Sequence, residues 1–372
     1  MHTSRGVFAF CLGLLAACSD TTGGGGGNSG LTIDTFAPAY YRALCDSLFR
    51  CPTVGDSGAA VALLENASTC AARVPALGAG GMADMISLVR GGTVRFDGAA
   101  ASECLARVGQ SCAQSDSELA SLCRRAFTGT VAAGGPCWRN EECASGGYCD
   151  HGSGTRTCPG TCRAPIAAGA ACSVDRQCAG WLTGTAACVS SVCSPVVDTA
   201  GGVEGQRCGV IAGTPANRVS CMTSLACIAG MCRRPVAAGA PCTTDDACVA
   251  GTTCARTPGT TTRTCVAPSV IVRSTTGGMC SANGATAPLC NPLAHLECNA
   301  MNSCESLGDG SMGSRCVPGN DLLAATCNEG LRCDETSRTC VARAATGQAC
   351  TRNSDCVSNE CESDHCLAHV CD

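Results

Sequence analysis

The chain contains no lysine: all 25 of its basic residues are arginine, placed singly or in pairs. With no basic run, neither a nucleic-acid footprint nor a polybasic membrane patch is expected. The formal charge of −5 fits solubility better than a charged partner. Aromatic residues make up only 3%, with two Trp and six Phe. So few large apolar side chains argue against one large core. Beyond the N-terminal segment no apolar run reaches the roughly 18 residues of a membrane span. Cys-x2-Cys is absent, which removes the commonest zinc-knuckle and thioredoxin patterns. G-x-S-x-G, H-E-x-x-H and the P-loop are absent too. No enzyme, catalytic residue, cofactor or bound metal is therefore expected.

What the chain has is cysteine, 38 in 372 residues. That density marks a disulfide scaffold, and a reducing cytosol would leave so many thiols useless as staples. An oxidising compartment is the first expectation. The length suits two or three ordinary domains.

Residues 1–17 read as an export signal, with Arg5 followed by the apolar run Val7 to Leu15. The run is too short to span a bilayer. Its end, Leu15-Ala16-Ala17-Cys18, resembles the bacterial lipobox. That resemblance implies lipidation of Cys18 as the mature N-terminus, with enough acyl chains for a stable membrane anchor. The other reading is an ordinary cleavable signal whose Cys18 joins the disulfides. Ser19 lacks the acidic character that retains some lipoproteins in the inner membrane, so the outer membrane or surface is favoured. Residues 18–30, with five consecutive glycines, read as a flexible tether.

From 31 to 130 the pattern turns helical. Tyr41, Leu44, Cys45 and Leu48 share a face. A second helix is expected from Asp56 to Arg73, and a third from Met82 to Val89, stopped by Gly91-Gly92. A fourth carries Ala101, Cys104, Leu105 and Val108. A fifth opens at Ser115-Asp116-Ser117-Glu118 and carries Leu119, Leu122, Cys123 and Phe127. Cys45, Cys51, Cys70, Cys104, Cys112 and Cys123 allow three bridges in any of 15 pairings. The expectation is a small all-α, disulfide-bonded domain. Gly55-Asp56-Ser57-Gly58 looks like a serine-protease nucleophile signature. The only histidine upstream is His2, in the signal, so it reads as a helix start.

From 131 to 372 Gly-x-x-Cys recurs seven times, at Cys137, Cys172, Cys208, Cys242, Cys280, Cys316 and Cys350. The steps of 35, 36, 34, 38, 36 and 34 residues define seven repeats. Four of them continue Cys-x5-Cys, with Asn140, Asp175, Asp245 or Asn353 three residues after the first cysteine. There an Asx side chain is expected to cap its own backbone two residues on, or to adopt a left-handed turn. The acidic pairs Glu141-Glu142 and Asp245-Asp246 are expected to face solvent. Units this short cannot fold on hydrophobic burial alone. A disulfide closing a loop of about 15 residues adds ~3 kcal/mol in the chain-entropy model. The array should therefore be irregular loops and short β-hairpins, each unit held by its own bridges.

Cys137-Trp138-Arg139-Asn140-Glu141-Glu142-Cys143 through Cys149, and Cys242 through Cys254, resemble the Dickkopf N-terminal cysteine-rich module. The combination with a lipobox and a helical segment resembles bacterial lipoproteins that carry arrays of such modules. The third, fifth and sixth repeats depart from the second-cysteine spacing, and the resemblance carries fold rather than function.

Two repeats hold a fifth cysteine, for which Cys158 and Cys371 are the candidates. Bridging to another repeat and a free reactive thiol are both open. Thirty-six cysteines follow Cys18, an even number that suits full pairing. The C-terminal set Cys356, Cys361, His365, Cys366, His369 and Cys371 is the one group with metal-ligand character. The expected protein is thus a lipid-anchored, extracytoplasmic bacterial envelope protein. It meets the membrane through its N-terminal lipid and displays an extended modular surface for an unknown protein or glycan ligand, for adhesion or for a structural role. A secreted protease inhibitor, or metal binding at the C-terminal set, is the alternative.

Overall fold

The computed structural model describes residues 30–369 except 53–56, 78–80, 109–122, 153–157, 212–214, 223, 244–246, 282–285, 318–326, 329 and 359. The signal, Cys18, the tether up to 29, Cys112, the start of the expected fifth helix, Asp245, Asp246 and Cys371 lie outside the described residues.

The first helix, α1 (Ile33–Arg50), opens with a reciprocal cap. The Thr32 hydroxyl accepts from the Thr35 amide at 3.4 Å, and the Thr35 hydroxyl accepts from the Thr32 amide at 2.9 Å. Then follow α2 (Ser57–Leu64), α3 (Ala67–Leu77), α4 (Gly81–Arg90) and α5 (Gly98–Val108). The single helix expected from 56 to 73 is broken at Glu65-Asn66. Glu65 takes a left-handed φ of 62°, and the Asn66 side chain caps α3 by accepting from the Thr69 amide at 2.9 Å. A local cap outweighs the continuing apolar pattern there. α4 ends where Gly91-Gly92 said it would, with Gly92 at φ 79°.

The all-α expectation needs correction. Strand β1 (Val94–Phe96) pairs antiparallel with β2 (Phe127–Gly129), placing Phe96 opposite Phe127. Phe127, expected on the fifth helix, lies on a strand because this cross-strand aromatic pair joins the core. At that core's centre is Phe36, with no exposed surface, its ring centroid 5.5 Å from Phe96 and 6.0 Å from Phe127. Cys45–Cys70 ties α1 to α3, and Cys104 is bonded to Cys123.

Beyond 131 the described chain is a succession of short hairpins rich in disulfides. In the first repeat β3 (Pro136–Cys137), β4 (Tyr148–Asp150) and β5 (Gly160–Arg163) form a sheet in the order β3-β5-β4. The second and third repeats share the largest sheet. It joins β6 (Ala186–Val189), β7 (Val192–Gly202), β8 (Gly209–Ile211) and β9 (Ala216–Cys221) in the order β6-β7-β9-β8. Among the described residues, no helix is long and apolar enough to cross a membrane.

The array does not run out as an extended stalk; it doubles back onto the helices. Gly58 of α2 lies so close to Thr253 of the fourth repeat that a Cβ there would collide with the threonine hydroxyl. In the fifth repeat the buried Asn291 amide donates to the Leu63 carbonyl at 2.8 Å and to Glu65 Oε1 at 2.7 Å. Its neighbour Leu293 joins the cluster of Cys45, Leu64 and Cys70. His295 Nε2 accepts from the Arg73 guanidinium at 3.0 Å. Pattern reading missed these contacts, because one Asn and one Leu in a turn carry no periodic signal.

Candidate functional site

Two features carry the chemistry of this chain: a staple repeated seven times, and a buried polar junction where the two ends of the array meet.

The staple begins with backbone geometry. With the extra Cys158 and Cys371 set aside, the third and fourth cysteines of every repeat sit directly opposite on a hairpin. The seven pairs are Cys149 and Cys162, Cys188 and Cys193, Cys227 and Cys232, Cys254 and Cys265, Cys298 and Cys304, Cys333 and Cys340, and Cys361 and Cys366. Opposed residues point to one face. They do not bond each other. The third returns to the first cysteine, as in Cys137–Cys149, Cys172–Cys188, Cys208–Cys227, Cys242–Cys254, Cys280–Cys298, Cys316–Cys333 and Cys350–Cys361. The fourth returns to the second, as in Cys143–Cys162, Cys178–Cys193, Cys221–Cys232, Cys248–Cys265, Cys290–Cys304, Cys327–Cys340 and Cys356–Cys366. The third, fifth and sixth repeats obey the same rule despite their different spacing.

This geometry also explains the Gly-x-x-Cys signature. The glycine takes a left-handed φ in all seven units, from 80° at Gly239 to 89° at Gly134. Its amide donates to the carbonyl of the fourth cysteine, as Gly134 does to Cys162 and Gly347 to Cys366, each at 2.8 Å. Only glycine adopts that conformation without strain.

The Asx residues act differently from expectation. Rather than closing a local turn, the side chain reaches to the third cysteine. The Cys149 amide donates to Asn140 at 3.0 Å, Cys188 to Asp175 at 2.7 Å and Cys361 to Asn353 at 2.9 Å. Each Asx sits on a one-turn 3-10 helix that aims it inward. The residue just before the second cysteine completes the arrangement. Glu142 accepts from the Trp138 and Arg139 amides at 2.6 and 2.9 Å, and Asp355 accepts from Thr351 and Arg352 at 2.9 and 3.1 Å. Gln177 does the same for Ser173 at 2.8 Å. Glu141 and Glu142 are therefore buried, not solvent-facing as expected. Backbone amides and Arg partners compensate the burial that composition alone argues against. Replacing Asn140 by Ala should strand the Cys149 amide and weaken that unit locally by about 1–3 kcal/mol. Faster hydrogen exchange at Cys149, with repeats two to seven unchanged, is the expected readout.

The junction centres on Asp84 of α4. His369, near the end of the last repeat, donates from Nδ1 to Asp84 Oδ1 at 2.8 Å, and its ring lies 5.6 Å from that of Trp138. Arg139 approaches the other Asp84 oxygen at 3.7 Å and Glu141 at 3.5 Å. Arg124 lies 3.8 Å from Glu141 and stacks over Trp181 of the second repeat at 4.2 Å. Burial raises the Asp84 pKa above 3.8, and the hydrogen bond from His369 and the charge of Arg139 only partly oppose it. The folded chain thus holds this proton more tightly than the unfolded one. Its stabilising contribution is complete below 3.8 and is lost as pH rises through the raised value. Asp84→Asn should remove that slope, as read from junction amide exchange across the same range. In the sixth repeat the Asp309 carboxylate accepts from the Ser311 amide and the Ser314 hydroxyl, each at 2.9 Å. The Ser311 and Ser314 bonds lower its pKa to about 2.

The C-terminal Cys/His set does not assemble as a ligand group. Cys356, Cys361 and Cys366 are in disulfides, and His365 Nδ1 faces the Ser363 carbonyl at 2.9 Å. His369 is held at the junction, and Cys371 lies outside the described residues. The close sulfur groupings in the repeats, such as Cys137, Cys143 and Cys162, are the overlapping bridges themselves. Cys158 is disulfide-bonded, so the free-thiol reading fails for it; Cys51 is disulfide-bonded as well.

The geometry defines a disulfide-rich array of hairpin units. Comparison with protein-family models, with curated proteins and with solved structures finds no match. So many bridges point to an extracytoplasmic protein.

Proposed function

We propose that the chain is a non-enzymatic, lipid-anchored protein of a bacterial cell envelope, held in the membrane through acylated Cys18. A glycine-rich tether separates the anchor from a helical domain spanning 31–130 and from an array of Dickkopf-like modules. The array serves as a binding, adhesion or structural surface for a protein or glycan partner. One observation carries this reading: a single bridge connectivity recurs through seven units whose intervening loops differ. A fixed frame with variable loops is suited to display, since the loops change without disturbing what holds them. Exposed methionines add adaptable apolar contact surface, with Met301 83%, Met279 72% and Met312 68% exposed.

The test is export of the full chain in a diderm bacterial host, followed by detergent-phase partition and intact mass of the mature N-terminus. Wild type should enter the detergent phase carrying acyl chains on Cys18, and Cys18→Ala should not. A mature wild-type protein that remains in the aqueous phase with an unmodified N-terminus would refute the anchor.

A further inference from the structure

The first and last repeats each hold one cysteine beyond the four that build the staple, Cys158 and Cys371. Cys158 is already in a disulfide. A sulfur in a disulfide has one sulfur partner, so the 32 cysteines of the sixteen bridges described above are excluded. Among the remaining cysteines, the sequence makes Cys112 the candidate partner of Cys51, which is itself disulfide-bonded. Cys51 follows Arg50, whose guanidinium donates to the Val108 carbonyl at 3.5 Å, and Cys112 is four residues further along.

Position speaks for Cys371 as the partner of Cys158. β3 and β5 end their pairing with Cys137 opposite Gly160. Cys158 precedes Gly160 by two residues, so it lies beside the start of the Trp138-Arg139 segment. That segment is where the last repeat arrives. His369 packs on Trp138, and both His369 and Arg139 reach Asp84. Cys371 is two residues beyond His369, a span of at most ~7 Å. Bridged Cα atoms lie up to about 6.8 Å apart. The last repeat thus brings His369, two residues short of its extra cysteine, to the strand end that bears the other one.

We propose that Cys158 is bonded to Cys371, a bridge between the first and last repeats that closes the array into a loop. The bond forms by thiol–disulfide exchange with a disulfide-bearing oxidant. One thiolate attacks the oxidant to give a mixed disulfide, and the second displaces the oxidant's remaining thiol. Two protein thiols lose two electrons and two protons, and the oxidant leaves as two thiols. The sixteen bridges described above each stay within one repeat or within the helical stretch. A cut between repeats therefore releases nothing while this bridge stands, and the last repeat stays beside α4, where His369 meets Asp84. The inference rests on the extracytoplasmic reading, which supplies the oxidant.

Cleavage of the exported, unreduced protein at Arg163 and Arg343 tests it. The first and last repeats should remain in one disulfide-linked species and separate on reduction. In Cys371→Ser they should separate without reductant, and Cys158 should become a single alkylatable thiol in denaturant. Wild-type repeats that part without reductant overturn the proposal. So does a Cys158 found bonded to Cys51, or left unlabelled in Cys371→Ser. If the staples within the repeats are missing as well, the extracytoplasmic reading has failed; if they are intact, only this inference has.

Discussion

Full reduction should unfold all seven repeats while leaving part of the helical stretch standing. The apolar cluster of the first repeat is four cysteines with Val131 packed on them, and that of the last is three cysteines with Ala344 and Cys361 against them. Without the bridges these units keep almost no apolar surface to offset the backbone entropy of ordering them. Each bridge is worth ~3 kcal/mol in the chain-entropy model, and each repeat holds two. The core around Phe36 is different. It gathers Ile33, Met85, Leu88, Val94, Val108 and Phe127, so apolar packing as well as sulfur holds it. Hydrogen exchange after reduction should show the Cys162 and Cys265 amides unprotected and the α1, α4 and α5 amides partly protected. Equal loss everywhere would mean that the two regions are not held differently.

The second large effect is the converse. Phe36→Ala should cost about 3–5 kcal/mol, because a fully buried ring leaves a cavity that its neighbours fill only partly. Phe96, Phe127 and Tyr40, at 5.5, 6.0 and 5.7 Å, all lose a ring partner. The helical circular-dichroism signal should melt at lower denaturant concentration while the non-reducing disulfide map of the array stays unchanged.

The array was legible in the sequence where its chemistry is forced. Gly-x-x-Cys announces itself because a left-handed φ admits little but glycine, and the cysteine count fixes two staples per unit. The connectivity was not legible. Four cysteines allow three pairings, and nothing in their spacing says that the third and fourth lie side by side on a hairpin yet bond elsewhere. The Asx positions stand out in the sequence, but their role does not. An Asn three residues after a cysteine suits a local turn equally well, and only the fold brings the third cysteine's amide to it. Glu142 was missed because a charged side chain reads as solvent-facing unless the amides that satisfy it are in view. Phe36 is not legible in this way, because the apolar spacing of α1 is plainest further along, from Tyr41 to Leu48. For the junction at Asp84 the sequence holds one signal, the fifth cysteine that the first and last repeats each carry, and it points there only through the bridge proposed above.

The most direct test of sulfur as the core of these units is the bridge map of the fourth repeat. Cleavage of the unreduced protein at Arg256 and Arg263 places Cys254 and Cys265 on different peptides, and fragmentation then assigns each bond. The overlapping staple requires Cys254 joined to Cys242 and Cys265 joined to Cys248. A direct bond between Cys254 and Cys265, or four free thiols in a repeat that keeps its exchange protection, would contradict it.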